Sequence, residues 1–315
     1  MSALKYLAGR LVGVSAVMLL VVTITFVIAR IIPGDPAGVI LGPSATPEDI
    51  EALRLRLGLN EPIITQFALY LRAMARLDLG DSIFLNRPVL QAIGERAGLT
   101  LQLTLLAAAI AVLIGLPIGI LSAVRRGSAL DQAFTAISIS LASLPSFLVG
   151  LLLIRYLAVE LGWFPVAGYG SPGAGLAERL YHLVLPAIAV AVPNSALILR
   201  FTRTSMLEVL HEDFIRTARA KGLSPALVIL KHGLWNAFIP ILTVIGLMVA
   251  SLIGGAIVTE TVFGLPGIGN LIVTAVVRRD YPVIQGALLV VSGAYVLLNL
   301  LIDLLYAAID PRVRY

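Results

Sequence analysis

The sequence predicts an all-α polytopic membrane protein with six transmembrane helices, and three observations carry that expectation. Hydrophobic residues make up 59% of the 315 positions and charged residues 13%, with a mean hydropathy of +0.98. Soluble domains run at about 45–50% apolar and about 25% charged. Six runs are long and apolar enough to cross a bilayer, which takes about 20 residues. Basic residues fall between those runs, mostly in alternate loops, as spanning helices require.

Taken in order, residues 11–29 form the first span, clamped between Arg10 and Arg30. The second covers 99–124 and stops at the Arg125-Arg126-Gly127 turn, and the third covers 132–154. The fourth, about 182–199, is shorter and carries Pro186, Pro193 and Asn194. Residues 234–259 and 282–302 supply the fifth and sixth. The first run is too long for a signal peptide and lacks a small-residue cleavage site. Pro145, Pro186, Pro193, Gly115-Leu116-Pro117 and Gly254-Gly255 mark kinks or close helix contacts.

Orientation follows from the short loops. With the N-terminus inside, the inner side holds Lys5, Arg10, Arg125, Arg126, Arg200, Arg203, Arg216, Arg219, Lys221, Lys231, Arg312 and Arg314. The short outer loops hold Arg155, Arg179, Arg278 and Arg279. Both termini are therefore expected on the inner side. The chain divides into an N-terminal tail and first span (1–32), an outer helical segment (33–97) and a core of five spans (98–315). In the outer segment Thr46-Pro47-Glu48-Asp49 reads as an N-cap, a first-position proline and two first-turn acids. Ile50, Leu53 and Leu57 follow at helical spacing up to Gly58. A second helix begins at Glu61-Pro62, with Phe67, Tyr70, Leu71 and Met74 on one side. Packing on the membrane surface and docking of an outer partner both fit this segment.

The loop at about 204–235 is unlike the others. Residues 206–221 are too polar to span and read as one amphipathic helix. Leu207, Leu210, Phe214 and Ala218 fall on one face, and Glu208, Glu212, Arg216 and Arg219 on the other. Gly222 interrupts it, and Ser224-Pro225 has the signature of a new helix start. A connector needs only a few residues, so two structured helices here imply a docking role.

At these residues a family resemblance becomes specific. Arg216-Thr217-Ala218-Arg219-Ala220-Lys221-Gly222-Leu223-Ser224 resembles the cytoplasmic loop of binding-protein-dependent ABC importer permeases, in the form carried by the dipeptide/oligopeptide/nickel branch. Leu79-Gly80-Asp81-Ser82, Glu260-Thr261-Val262-Phe263, Pro266-Gly267-Ile268-Gly269, Asp280-Tyr281-Pro282 and Asp310-Pro311-Arg312 are similar to further motifs of that branch. Trp235 departs from it, standing where a second basic residue is expected. The resemblance implies a type I ABC importer permease fold, a bacterial inner-membrane location with both termini cytoplasmic, and a non-catalytic subunit. It also implies ATPase coupling through Glu212, Arg216, Thr217, Ala218, Arg219, Ala220, Lys221 and Gly222. The implied partners are a second homologous permease, two cytoplasmic ABC ATPases, a periplasmic or lipid-anchored substrate-binding protein and membrane lipid. The substrates implied are small peptides, glutathione, nickel chelates or short oligosaccharides.

What the chain lacks agrees with a borrowed energy source. It has no cysteine, so disulfides and thiolate metal sites are excluded. There is no Gly-x-x-x-x-Gly-Lys-Ser/Thr loop, so ATP and magnesium are expected only on partner subunits. His211-Glu212-Asp213-Phe214-Ile215 begins like a zinc-protease helix, but Ile215 stands where the second histidine belongs. No Gly-x-Ser-x-Gly motif occurs. The net charge of +5 comes from scattered basic residues, which argues against nucleic acid. A stand-alone secondary transporter or channel is the alternative. Its signature would be ionisable groups inside the spans, and the apolar cores hold almost none, Asp303 near Asn299 being one.

Overall fold

Long apolar runs fold as helices because a bilayer leaves no other way to satisfy backbone polar groups along an open chain. The computed structural model describes residues 3–31, 36–41, 45–56, 58–171, 173 and 175–309. Pro33, Leu57 and the tail motif Asp310-Pro311-Arg312 lie outside the described residues, as do Arg314 and Tyr315. In chain order the helices are α1 (Ala3–Ile31), α2 (Pro36–Leu41), α3 (Pro47–Arg56), α4 (Ile63–Ala75), α5 (Val89–Val124), α6 (Ala129–Ala142) and α7 (Ser146–Leu153). A π-helical stretch, Ile154–Glu160, prolongs α7. Then come α8 (Leu176–Leu210), α9 (Asp213–Ala220) and α10 (Pro225–Leu227), which runs through the π-helical Val228–Leu234 into α11 (Trp235–Val262). The last two are α12 (Ile268–Arg278) and α13 (Tyr281–Ile309).

Contacts sort the described residues into two compact units, one within Met1–Gly98 and Asn270–Leu297, the other within Leu99–Gly269 and Leu298–Arg314. In the first, α4 packs on α1. Phe26 meets Phe67 edge to face at 5.0 Å, and the Arg30 guanidinium lies 3.5 Å over the Phe26 ring. Arg30 Nη2 also donates to Gln66 Oε1 at 2.8 Å. The expected cap at Thr46 is present: Asp49 N–H donates to Thr46 Oγ1 at 3.2 Å, and Thr46 N–H to Asp49 Oδ2 at 3.3 Å. Two of the singled-out motifs meet here. Asp280 Oδ2 accepts from Ser82 Oγ at 2.6 Å and from Phe84 N–H at 3.3 Å, while its Oδ1 accepts the Val283 N–H at the start of α13.

The second unit is built around α8, which packs against α6, α7 and α11. On α5 the buried positions recur every fourth residue: Leu99, Leu103, Ala107, Ala111, Gly115, Gly119 and Ala123. That inclined stripe is the ridge one helix offers another. Its glycines bring α5 and α8 very close, since a Cβ on Gly115 would stand 2.5 Å from Ser195 O and one on Gly119 2.7 Å from Leu199 O. At the other end of α5, Thr100 Oγ1 donates to the fully buried Glu260 at 2.6 Å and accepts the Ile268 N–H at 2.9 Å.

The third span departs from expectation. Four helices are long and apolar enough to cross: Val89–Val124, Leu176–Leu210, Pro225–Val262 and Tyr281–Leu304. On α1 the apolar stretch is Val12–Ile28, at the short end of what a bilayer needs. Residues 132–154, read as one span with a kink or close contact at Pro145, are two helices, α6 and α7, meeting at 99°. Pro145 begins α7 and removes the N–H that would continue α6, and it disfavours helical geometry at Leu144. Contacts within this unit locate the two ends of the bent pair. Its leading end lies beside the far end of α8, through Asp131 and Arg203 at 2.6 Å. Its trailing end leads to Tyr169, whose hydroxyl donates to Gln102 at 2.7 Å, and to Gly168, whose N–H donates to Phe263 O at 2.9 Å. Gln102 lies in the first half of α5 and the Arg125–Arg126 turn follows its last residue, so the two ends of the α6–α7 pair meet well-separated levels of that helix. Gly254 and Gly255, read as kinks or close contacts, lie within continuous helix, and among the described residues a Cβ on either would meet no atom outside that helix's own backbone within 4 Å.

Candidate functional site

The polar loop after the fourth span is organised differently from a single amphipathic helix over 206–221. Helix α8 runs on to Leu210, and the chain then turns at His211 and Glu212 before α9 begins at Asp213. Glu212 takes the extended N-cap conformation (φ −68°, ψ 149°), and Asp213 puts an acid in the first turn, where it favours the positive end of the helix dipole. The break rotates the wheel. Ile215 is fully buried, while Phe214, expected on the buried face, is 42% exposed. Ala218 is buried as expected. His211 and Glu212 therefore belong to two caps and not to one metal-binding helix face.

One side of α9 is sealed by the chain itself: Ile215 and Ala218 pack against Val228, with Leu210 and Leu223 around them. Its C-terminus closes in a Schellman arrangement. Gly222 sits at φ +75°, its N–H donates to Arg219 O at 3.0 Å, and the Leu223 N–H donates to Ala218 O at 3.4 Å. Leu223 then joins the apolar cluster of Ile215 and Ala218, the contact that usually accompanies this motif. Ser224 is the extended cap and Pro225 the first residue of the next helix, which continues without a stop into α11. The turn is held by backbone geometry.

The remaining surface of α9 is open. Phe214, Arg216, Thr217, Arg219, Ala220 and Lys221 are exposed, as is Glu212 before it. Arg216 lies 3.6 Å from Asp213, but both side chains are solvated, so the pair contributes little. The eight residues singled out from sequence thus come together as one short, anchored helix and its two caps. Seven of them face outward, and Ala218 faces in. Trp235 is 70% exposed and stacks on Phe238 at 6.4 Å. A helix pinned on one side, with an aromatic ring and three cations on the other, can seat in a groove and transmit force into α8 and α11.

Pairwise reading of the sequence missed the polar contacts behind this loop. Asp131, Arg203 and Ser122 form one cluster, and Arg126 Nη1 lies 3.3 Å from His211 Nε2. Arg203 lies 72 residues from Asp131 and His211 85 from Arg126, so no local spacing announces those two contacts.

Comparisons with known proteins agree with this geometry. Residues 115–315 match the family described as binding-protein-dependent transport system inner membrane component. Residues 3–104 match the N-terminal family of the same membrane components. A probable peptide ABC transporter permease protein of Sinorhizobium fredii is 47% identical over 98% of this chain and 99% of its own length. The glutathione transport system permease protein of Escherichia coli K12 is 43% identical over 99% of both. The dipeptide transport system permease protein of Alkalihalophilus pseudofirmus is 43% identical over 99% of this chain and all of its own. Among solved structures, the MetNI methionine ABC transporter in an inward-facing form matches with a TM-score of 0.59 at 20% identity. The match covers 70% of this chain and 97% of that one. An amino acid ABC transporter matches with a TM-score of 0.51 at 17% identity, covering 71% and 94%. Those two likenesses support the fold. A permease of this kind is a multi-pass inner-membrane protein that works with ATPase and substrate-binding partners. The chain belongs to the binding-protein-dependent transport system inner membrane component family and is a non-catalytic permease subunit of an ABC importer.

Proposed function

We propose that the chain forms half of a translocation path for small peptides or glutathione and couples it to cytoplasmic ATPases through α9. The shared chemistry of the substrates in the relatives' names, short peptide-bonded solutes, supports the substrate class. A second homologous permease supplies the other half, and two ATPase subunits bind ATP and magnesium. A periplasmic or lipid-anchored binding protein delivers the solute. The observation that carries the coupling role is the two-sided character of α9, whose inner face is fixed to its own chain while Phe214, Thr217 and Ala220 stand open. That is the layout of a helix presented to a groove.

Ala220→Arg tests it. The position is exposed, so an arginine fits the isolated chain and only a docked partner meets it. The variant is expected at wild-type membrane levels with ATPase copurification and uptake both reduced about 10-fold, the size of a typical coupling free energy. Full ATPase retention would remove α9 from the interface.

The inner ends of the spans are proposed to be cytoplasmic, with both termini inside. Reporter fusions at Gly127 and Tyr315 are expected to read inside and one near Gly42 outside. An outside reading at Tyr315 would overturn the assignment of six crossings.

A further inference from the structure

Helix α8 runs straight into the corner that carries α9, so the contacts on its last turns decide where a push on α9 goes. Arg203 lies on those turns. Its Nε donates to Asp131 Oδ1 at 2.6 Å and its Nη2 to Asp131 Oδ2 at 2.9 Å, a two-pronged contact with a carboxylate that is 3% exposed. The same carboxylate accepts the Ser122 hydroxyl from the end of α5 and the Gly127 N–H at 2.9 Å from the turn between α5 and α6. Ser128 caps α6 by accepting the Asp131 N–H at 3.3 Å. On the other flank of the turn, Arg126 Nη1 stands 3.3 Å from His211 Nε2 at the α8–α9 corner. The turn and the first residues of α6 therefore touch α8 and its C-cap at two levels, which a helical rise of about 1.5 Å per residue separates by about 12 Å.

The clamp continues a close seam. Gly115 and Gly119 lie where a Cβ would press on Ser195, Ile198 and Thr202 of α8, and Ala123 packs with Met206 one turn further on. Ser122 follows Gly115 and Gly119 on the same face of α5. Three different polar groups converge on Asp131 from α5, the turn and α8, so the carboxylate fixes their relative rotation. A buried ion pair of this kind is a poor source of net stability, because desolvation offsets its attraction. Its contribution is a defined geometry.

We propose that the α5–α6 turn, held by Asp131 and Arg203, is a strut of the coupling apparatus. It makes α5 and α8 move as one body with α9, so that displacement of the docked helix reaches the spans instead of being absorbed at the corner. Asp131 and Arg203 are positioning residues, acting through α8. The inference rests on the docking role of α9 proposed above.

The test uses the whole transporter, with its partner permease, ATPases and binding protein, in proteoliposomes. Solute moved per ATP hydrolysed is measured with labelled glutathione or labelled alanyl-alanine, whichever the wild type accumulates. ATPase copurification and basal hydrolysis are measured alongside. Asp131→Asn is expected to keep its ATPases and its basal hydrolysis, yet to lose stimulation by the loaded binding protein. Its solute-to-ATP ratio is expected to fall about 10-fold, a usual size for coupling between sites. Arg203→Lys keeps the charge and loses the fork, and is expected to show a smaller fall of the same kind. Should Asp131→Asn fail to accumulate, Arg203→Lys decides by the same ratio. An unchanged ratio, whether transport is normal or falls in step with hydrolysis, overturns the strut and leaves a structural pair. Loss of the ATPases from Asp131→Asn also overturns it. Failure of the α9 reading looks different: Ala220→Arg then retains its ATPases, whatever the Asp131 variant does.

Discussion

Gly269→Ala is expected to strip most of the protein from the membrane, while Gly254→Ala leaves it at the wild-type level. A Cβ on Gly269 would fall on the Ile257 Cα, far inside contact distance, and 2.9 Å from Glu260 Oε2. A backbone atom cannot rotate away, so Ile268 and Gly269 have to separate from the end of α11. Separation draws Ile268 N off Thr100 Oγ1, now at 2.9 Å, and disturbs the 2.6 Å bond from Thr100 to Glu260. Overpacking typically costs about 1–3 kcal/mol, and a buried polar group left without its partner about 1–3 more. The sum is comparable to the whole stability of a marginal fold. Gly254 is exposed, and among the described residues no atom outside the helix's own backbone lies within 4 Å of a built Cβ, so alanine there meets open space and suits a helix better. Quantitative immunoblots of washed membranes, with thermal melts in detergent, compare the two. Wild-type levels of Gly269→Ala would mean that Gly269 need not lie against Ile257.

Hydropathy made the spans legible because burial in lipid leaves a signal many residues long, which one bend or polar residue does not erase. Pro145 marked the break between α6 and α7, but the 99° angle depends on how α7 packs against α8 and α11, which no run of residues encodes. At the 206–221 loop the wheel placed Phe214 on the buried face because it assumed one helix there. The Glu212-Asp213 acids were the available sign of a new start, an acidic first turn after a residue that can adopt an extended conformation. Once the helix is restarted there, Ile215 and Ala218, three apart, share the inner face. Gly222 was legible because a left-handed turn leaves few alternatives to glycine. Asp280, Glu260 and Asp131 were not legible as hubs. Each holds at least one partner that is near only after folding, Ser82, Thr100 and Arg203 in turn, and a lone acid in an apolar sequence reads the same whether it is so paired or faces water.

Gly222→Val is expected to uncouple the transporter while leaving its spans in place. Gly222 sits at φ +75°, and among the described residues no atom beyond its chain neighbours lies within 4 Å of a Cβ built on it, so the cost is conformational and not steric crowding. A left-handed conformation costs an ordinary residue about 1–2 kcal/mol, and a β-branched one is a genuine outlier there. Relaxing to negative φ would break the Gly222 N–H bond to Arg219 O and the Leu223 N–H bond to Ala218 O, both in the helix stop. Leu223 would then leave the cluster with Ile215 and Val228, and α9 would lose the anchor that sets its angle to α10 and α11. None of the buried residues in the α5–α8–α11 core takes part, so membrane levels should hold. A graded series separates strain from bulk. Gly222→Asn tolerates the left-handed region and is expected near wild type, Gly222→Ala is expected in between, and Gly222→Val lowest. The readouts are ATPase copurification, hydrolysis stimulated by the loaded binding protein, and uptake, all expected to fall together in the order Asn, Ala, Val. Wild-type uptake by a normally expressed Gly222→Val permease would show that the angle of α9 carries no coupling.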